Sequence, residues 1–554
     1  MNCTKLAMVI AMAGGLTSVV TYADSTASSP TPSAYVYGNY DYYNAAQQVA
    51  PAAPAAPAAP AAPAPAAPET SSAGTASCSD MGSCNATAAA PTCESSCNAA
   101  PSCSSSCNSC SNGCGCNDTC TDCNGCCHEK LPHLLHCCCK LKPCFCWDDS
   151  CPLTCPDVTT SHLFDDCCCL KEHDSTLTGW VSGGIMGNSA DPATHFNGPV
   201  TFADQDQGQL NQAYAVLQRT PADMSKNCGW FIGGDIDFVW GSDYFFTTSA
   251  GLDGSSMGNV PRWRTSANSF DYGFAMPQLY AETDYDDLKI KWGHFYTIIG
   301  YEVVPDIGNF FYTHSYTMQY GEPFTHTGVL ASRNINDNWA WSAGVVAGWN
   351  DFDLQEGAQF LGGITYTDPS YGSLAFSVVS GDESDFNIAG VGPYSNRTMY
   401  SIVWTRNLTS RWTYVLQHDL GYQSQTLGFN AVNSGHADWY GVNQYLFYKI
   451  NCCWTLGWRF EWFDDPEGYV VTGLRPGNTD AEFRFPGSFY ETSVGLNYKP
   501  NGNFTLRPEI RYDWYTGPDG FRAPAVPGAP PNQPFGDNFN KNQFLFGLDA
   551  IYQW

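Results

Sequence analysis

Charge is scarce in this chain, and in its second two-thirds it falls at alternate positions. Between 503 and 515, Arg507, Glu509, Arg511 and Asp513 alternate with Leu506, Pro508, Ile510, Tyr512 and Trp514. Arg459 and Glu461 stand among Trp454, Leu456, Trp458, Phe460 and Trp462, and Asp235 and Asp237 among Trp230, Ile232, Ile236, Phe238 and Trp240. Successive side chains of an extended backbone point to opposite faces, so each stretch carries a charged face and an aromatic one. Acidic and basic groups on a wet face can set up a field that orders dipolar solutes, or can neutralise one another across strands. Both readings stay open at this point. A hydrolytic centre would need a nucleophile and a base held close together. No Ser-His or Asp-His pairing has a convincing strand context, so no catalytic residue is assigned and no enzyme is expected. His294, His326 and His418 fall near strand ends, as interfacial or pore-lining residues.

Cysteine is the other reactive group. From Cys78 to Cys169 there are 23 cysteines in 92 residues. In an exported chain such density reads as a disulfide framework, because a segment poor in large apolar residues needs covalent staples. A thiolate metal cluster is the rival, with Cys114 and Cys116, Cys144 and Cys146, the triplets 137–139 and 167–169, and His128, His133 and His136 nearby. The spacing matches no zinc finger, so no metal or cofactor is assigned. Cys228, Cys452 and Cys453 complete the mature set at 26, an even number. They are candidates for a disulfide joining the cysteine-rich segment to a turn of the remaining chain, or joining neighbouring subunits; isolated packing cysteines are the alternative.

Export is indicated by the first 23 residues. Lys5, the apolar stretch Leu6 to Val20 and Thr21-Tyr22-Ala23 form a secretory signal, with the mature chain starting near Asp24. Residues 24–77 are read as a disordered Ala/Pro-rich linker whose run at 51–68 is an extended polyproline-type spacer. The cysteine-rich segment occupies 78–170, and the remaining domain 177–554. No later stretch offers the roughly 20 apolar residues of a membrane-spanning helix.

The domain at 177–554 must position the alternating charges. Sixteen runs of period-two alternation are visible: 177–185, 211–219, 229–240, 276–285, 287–294, 325–335, 338–349, 360–367, 372–380, 397–407, 411–423, 437–450, 452–464, 487–498, 503–515 and 542–554. Short links follow the even-numbered runs and mostly long ones the odd-numbered runs, up to about 30 residues at 295–324. That rhythm is the signature of an all-β, transmembrane, antiparallel up-and-down barrel with periplasmic turns and outward loops. Composition agrees: 14% of residues are charged and 14% aromatic, against roughly 25% charged in soluble domains. Lipid would cover the aromatic faces and water the charged ones; a soluble sandwich is the competing arrangement. The formal charge of −29 excludes a nucleic-acid partner.

The last run, Phe544 to Trp554, resembles the C-terminal strand that barrel assembly machinery recognises, with Trp554 where phenylalanine is commonest. The stretches Leu506 to Asp513 and Gly321 to Gly328 resemble the β-barrel porin family described as OmpL-like, common in planctomycete-type bacteria. The resemblance covers about 177–554 and implies a channel of the bacterial outer membrane for small hydrophilic solutes or ions. By analogy with general porins, the long segment after the fifth strand would fold inward as a constriction loop carrying Tyr301, Glu302, Asp306 and His314. Asp235, Asp237, Arg459, Glu461, Arg507, Glu509, Arg511 and Asp513 would then line the pore. Outer-membrane lipid, the assembly machinery and a homo-oligomer are the partners this reading allows. A structural envelope protein, its barrel anchoring a disulfide-linked coat, is the runner-up.

Overall fold

The sixteen alternating runs form sixteen barrel strands. The structure, a computed structural model, describes residues 160–554 apart from 201–204, 220–229, 256–257, 262–263, 267–268, 286–287, 353–356, 384–394, 428–433, 472–481, 520 and 524–532. Cys228, the signal, the linker and nearly all of the cysteine-rich segment lie outside the described residues. The strands are β1 (Ser175–Asn188), β2 (Gly208–Arg219), β3 (Trp230–Gly241), β4 (Ser269–Tyr285), β5 (Leu288–Tyr296), β6 (Thr325–Asn334), β7 (Trp339–Val346) and β8 (Gln359–Asp368). They continue with β9 (Gly372–Glu383), β10 (Ser395–Asn407), β11 (Trp412–Leu427), β12 (Ser434–Lys449), β13 (Trp454–Asp465), β14 (Gly487–Tyr498), β15 (Phe504–Tyr515) and β16 (Asn542–Gln553).

Each strand pairs antiparallel with its sequence neighbour, and β1 closes the ring against β16 from Trp180↔Gln553 to Asn188↔Leu545. Trp554 completes the seam, exchanging backbone hydrogen bonds with Gly179 at 2.8 and 3.2 Å. Closure removes the unpaired strand edges that a lipid environment could not satisfy. No helix among the described residues is long and apolar enough to cross a membrane.

The outer wall is apolar and uncovered. Val345, Phe360, Leu374, Ile510 and Phe546 alternate outward, and Ile232 retains 62% of its exposure. A water-soluble surface rarely presents so continuous an apolar band. Near the short-turn end, rings pair across strands, Trp230 with Tyr285 and Trp454 with Tyr498, as in an interfacial girdle.

At that same end, a short helix (Cys168–Glu172) precedes β1. Ser161 and Asn503 exchange hydrogen bonds there, and Phe164 meets the Trp554 ring edge-on at 6.0 Å.

Candidate functional site

The largest connection, residues 297–324 between β5 and β6, enters the barrel. Val303, Val304, Phe311 and Tyr312, together with everything from Thr313 to Phe324, are buried. The segment crosses the interior and seats mainly on the wall formed by β11–β16, β1 and β2, with Ile298 against Gly363 on β8. It fits because the wall leaves room for it: a Cβ at Gly184 or Gly547 would lie 2.7 or 2.8 Å from the Tyr312 ring, and one at Gly457 would strike Phe310. Thr317 fills the corresponding space over Gly441. These inward glycines act as sockets.

Polar latches accompany the sockets. Asp306 accepts from Arg507 Nη2 at 2.9 Å and from the Ser182 hydroxyl, and Arg507 also donates to the carbonyls of Asp306 and Asn309. Glu302 accepts from Arg459 Nη1 at 2.7 Å, from the Tyr445 hydroxyl at 3.0 Å and from the Ser315 amide at 2.8 Å. Burial by itself would raise the Glu302 carboxyl, but Arg459 and His314 outweigh it and hold the group well below the usual carboxylate range. Glu509 accepts from the Thr313 amide and hydroxyl, Glu461 from the Tyr316 and Thr317 amides, and Asp513 from the Tyr316 hydroxyl. Arg511 donates to the His314 carbonyl, while Tyr301 packs its ring 4.8 Å from that of Tyr445. The His314 ring meets Phe246 edge-on at 5.2 Å.

This corrects the expectation of a wet, charged lumen. Arg459, Glu461, Arg507, Glu509, Arg511 and Asp513 do face inward, yet all six are buried beneath the loop. The loop's acids and the wall's bases touch instead of facing one another across water, because an arginine left in a half-filled interior loses hydration unless a carboxylate replaces it. Asp235 and Asp237 are buried too, in contact with Gln218, Tyr214 and Gln278. His294 and His326 are buried and hydrogen-bonded, His294 to Ser249 and Thr327, His326 to Thr297 and the Gly348 carbonyl. Neither lines a pore. His418 lies on the outward face, its ring stacked 5.7 Å from that of Tyr400.

Sequence reasoning missed other members of the network. Glu491 accepts from Arg459 Nε at 2.5 Å and Asp549 from Arg507 Nη2 at 2.5 Å. Both sit at inward positions of alternating strands, a signal that was there to read. Glu322 was missed as well: it accepts from Gln417, which also donates to Asp419. Burial and the neighbouring Asp419 carboxylate push Glu322 well above the usual range.

The other half of the wall is different. On β7–β10 the inward residues toward the short-turn end are small and partly exposed. Toward the long-loop end the same strands present buried Val346, Leu361, Val379 and Met399, packed in one apolar cluster with Trp349 and Tyr469–Val471. Arg397 pairs with Glu383 there at 3.8 Å and donates to the Tyr469 hydroxyl. The two described turn cysteines, Cys452 and Cys453, lie between β12 and β13.

A closed sixteen-strand antiparallel barrel with an apolar outer band and a long loop folded into its interior is an outer-membrane barrel of the porin type. More particularly, the chain belongs to the family described as Putative beta-barrel porin-2, OmpL-like, whose model matches residues 174–554. No curated protein matches it. Among solved structures it is similar to an anion-selective porin from Comamonas acidovorans, at 9% identity and a TM-score of 0.42 over 69% of this chain and 99% of that one. OprB of Pseudomonas putida gives 11% and 0.42 over 70% and 95%. The trimer form of OmpT of Vibrio cholerae gives 12% and 0.41 over 69% and 99%.

Proposed function

We propose that the protein is a non-enzymatic channel for passive diffusion of small hydrophilic solutes or ions across the outer membrane. The observation that carries this reading is the inward wall of β7–β10 toward the short-turn end, which stays partly exposed while the polar latches of the loop at 297–324 lie on the opposite wall. In this reading the short-turn end faces the periplasm and carries the cysteine-rich extension, lipid wets the outer band, and the strand ending at Trp554 is what the assembly machinery engages. Cys452 and Cys453, in a turn at that end, are candidates for a covalent link between the extension and the barrel; non-reducing peptide mapping that joins them only to another barrel turn, or finds them as free thiols, would reject that link.

A second reading, a structural barrel anchoring a disulfide-linked coat, draws support from the apolar cluster over the long-loop end and from the burial of the charged wall. Planar-bilayer recording on the refolded full chain separates the two. The channel reading expects steady conductance steps; a barrel that inserts and gives none is structural.

A further inference from the structure

We infer that the solute path runs along β7–β10 and admits small, uncharged, hydroxyl-bearing solutes in preference to ions of either sign; this deepens the channel reading and rests on it. The placement of the loop comes first. Its polar latches lie against β11–β15 and β1, Tyr312 and the backbone at 304 and 306 reach Asn211 and Gln212 on β2, and Ile298 approaches β8 at Gly363. On β7–β10 the inward side chains toward the short-turn end are left partly exposed.

Among the described residues of β7–β10, no inward charge stands unpaired. Alternation with the outward Val345, Phe360, Ile364, Leu374 and Phe376 places Ser342, Thr365, Thr367, Ser373, Ala375 and Thr405 on the inward face, and all six are partly exposed. The charged inward residues of these four strands, Arg397 and Glu383, are buried and paired with each other. At the flank, Lys289 on β5 lies 3.6 Å from Glu282 and 3.9 Å from Asp284.

Small side chains leave width, and hydroxyls both donate and accept, so they can replace the water around a polyhydroxylated solute. They offer an ion no counter-charge. Farther along the same strands Val346, Leu361, Val379 and Met399 are buried in the apolar cluster with Trp349 and Tyr469–Val471, so the partly exposed stretch of wall belongs to the short-turn end. The alternating acids and bases that looked like the selectivity element are spent on holding the loop.

The test uses the refolded full chain in planar bilayers under a potassium chloride gradient and in liposomes swelling in a small neutral sugar. The expected results are a cation-to-anion permeability ratio near unity and sugar-driven swelling. Thr365→Asp should move the ratio severalfold toward cations. Should that variant fail to insert, Thr365→Cys labelled after folding with an anionic thiol reagent serves in its place, with the wild type treated in parallel. Conductance that is strongly ion-selective in the wild type, or unchanged by a charge at position 365, overturns the neutral path while leaving the channel standing. Insertion with neither conductance nor swelling overturns the channel reading itself.

Discussion

Glu302 in the inward loop and Asp243 in the turn after β3 are shifted in opposite directions, and their signs predict how acid and base act on the interior. Glu302 is held low by Arg459 and His314 despite its burial. A carboxyl with a depressed folded pKa contributes stability above its unfolded value, roughly 4.3, and loses it only as pH falls through the lower folded value. The latch therefore stays closed at neutral and mildly acid pH. Asp243, in the short turn Ser242–Thr247, is pushed up to about 7 by burial and then by the Asp306 carboxylate, against smaller help from His314, Gln212 and Ser242. Its contribution is fully present below roughly pH 4 and is lost as pH rises to about 7. Asp243→Asn should accordingly flatten the decline of stability across that window and leave the variant more stable than wild type at pH 8. Thermal unfolding in detergent from pH 4 to 8 measures this, and a variant that keeps the full wild-type slope shows that another group titrates. A separate loss is expected for Arg459→Leu, which strands Glu302, Glu491 and their hydrogen-bond partners. Removing one member of such a buried pair costs about 3–5 kcal/mol, read as a lower unfolding temperature with the strand content kept.

Among the elements, the loop and the wall beneath it were written together. Phe310, Tyr312 and Thr317 fall on Gly457, on Gly184 and Gly547, and on Gly441, a match that a freely swinging gate would not need. Gly457→Ala is expected to cost about 1–3 kcal/mol through overpacking and to increase protease cleavage within 297–324. Gly187→Ala on β1, where an added Cβ meets nothing within 4 Å, should do neither; equal effects from the two would remove the socket argument. The strands themselves were legible: Phe544 to Trp554 and Leu506 to Trp514 announce their faces because the side-chain period of a strand is two and lipid tolerates no charge on one side. What fills the inside was not legible from the same pattern. Alternation says that Arg459 and Arg511 point inward, but not whether water or Thr313 meets them, since that depends on a segment far away in sequence whose path no periodicity encodes. The neutral residues of β7–β10 were passed over for the same reason. Serine and threonine at alternate positions carry no obvious chemistry until the charged half is seen to be occupied.

At the scale of the whole molecule, the seam that closes the barrel is also where the N-terminal part of the chain is tied to it. Thr160 donates to the Gly502 carbonyl at 3.1 Å, Ser161 and Asn503 exchange three hydrogen bonds, and Phe164 covers the Trp554 ring. Asn503 in turn donates to the Gln553 carbonyl, and Trp554 bonds Gly179. One clasp thus joins the residues before β1, the turn before β15 and the end of β16. The Ser161–Asn503 hydrogen bonds are solvent-exposed, and each hydrogen bond of the clasp contributes only about 0.5–1.5 kcal/mol net, far less than the sixteen-strand ladder behind them. The clasp should therefore fail without the barrel failing. In the double variant Phe164→Ala and Asn503→Ala, hydrogen exchange over 160–172 is expected to rise at least tenfold, while exchange in β1, β15 and β16 and the temperature of unfolding in detergent stay at wild-type values. Accelerated exchange in β1 and β16 as well would mean that the clasp is part of barrel closure. Unchanged exchange at 160–172 would mean that other contacts hold this segment at the rim.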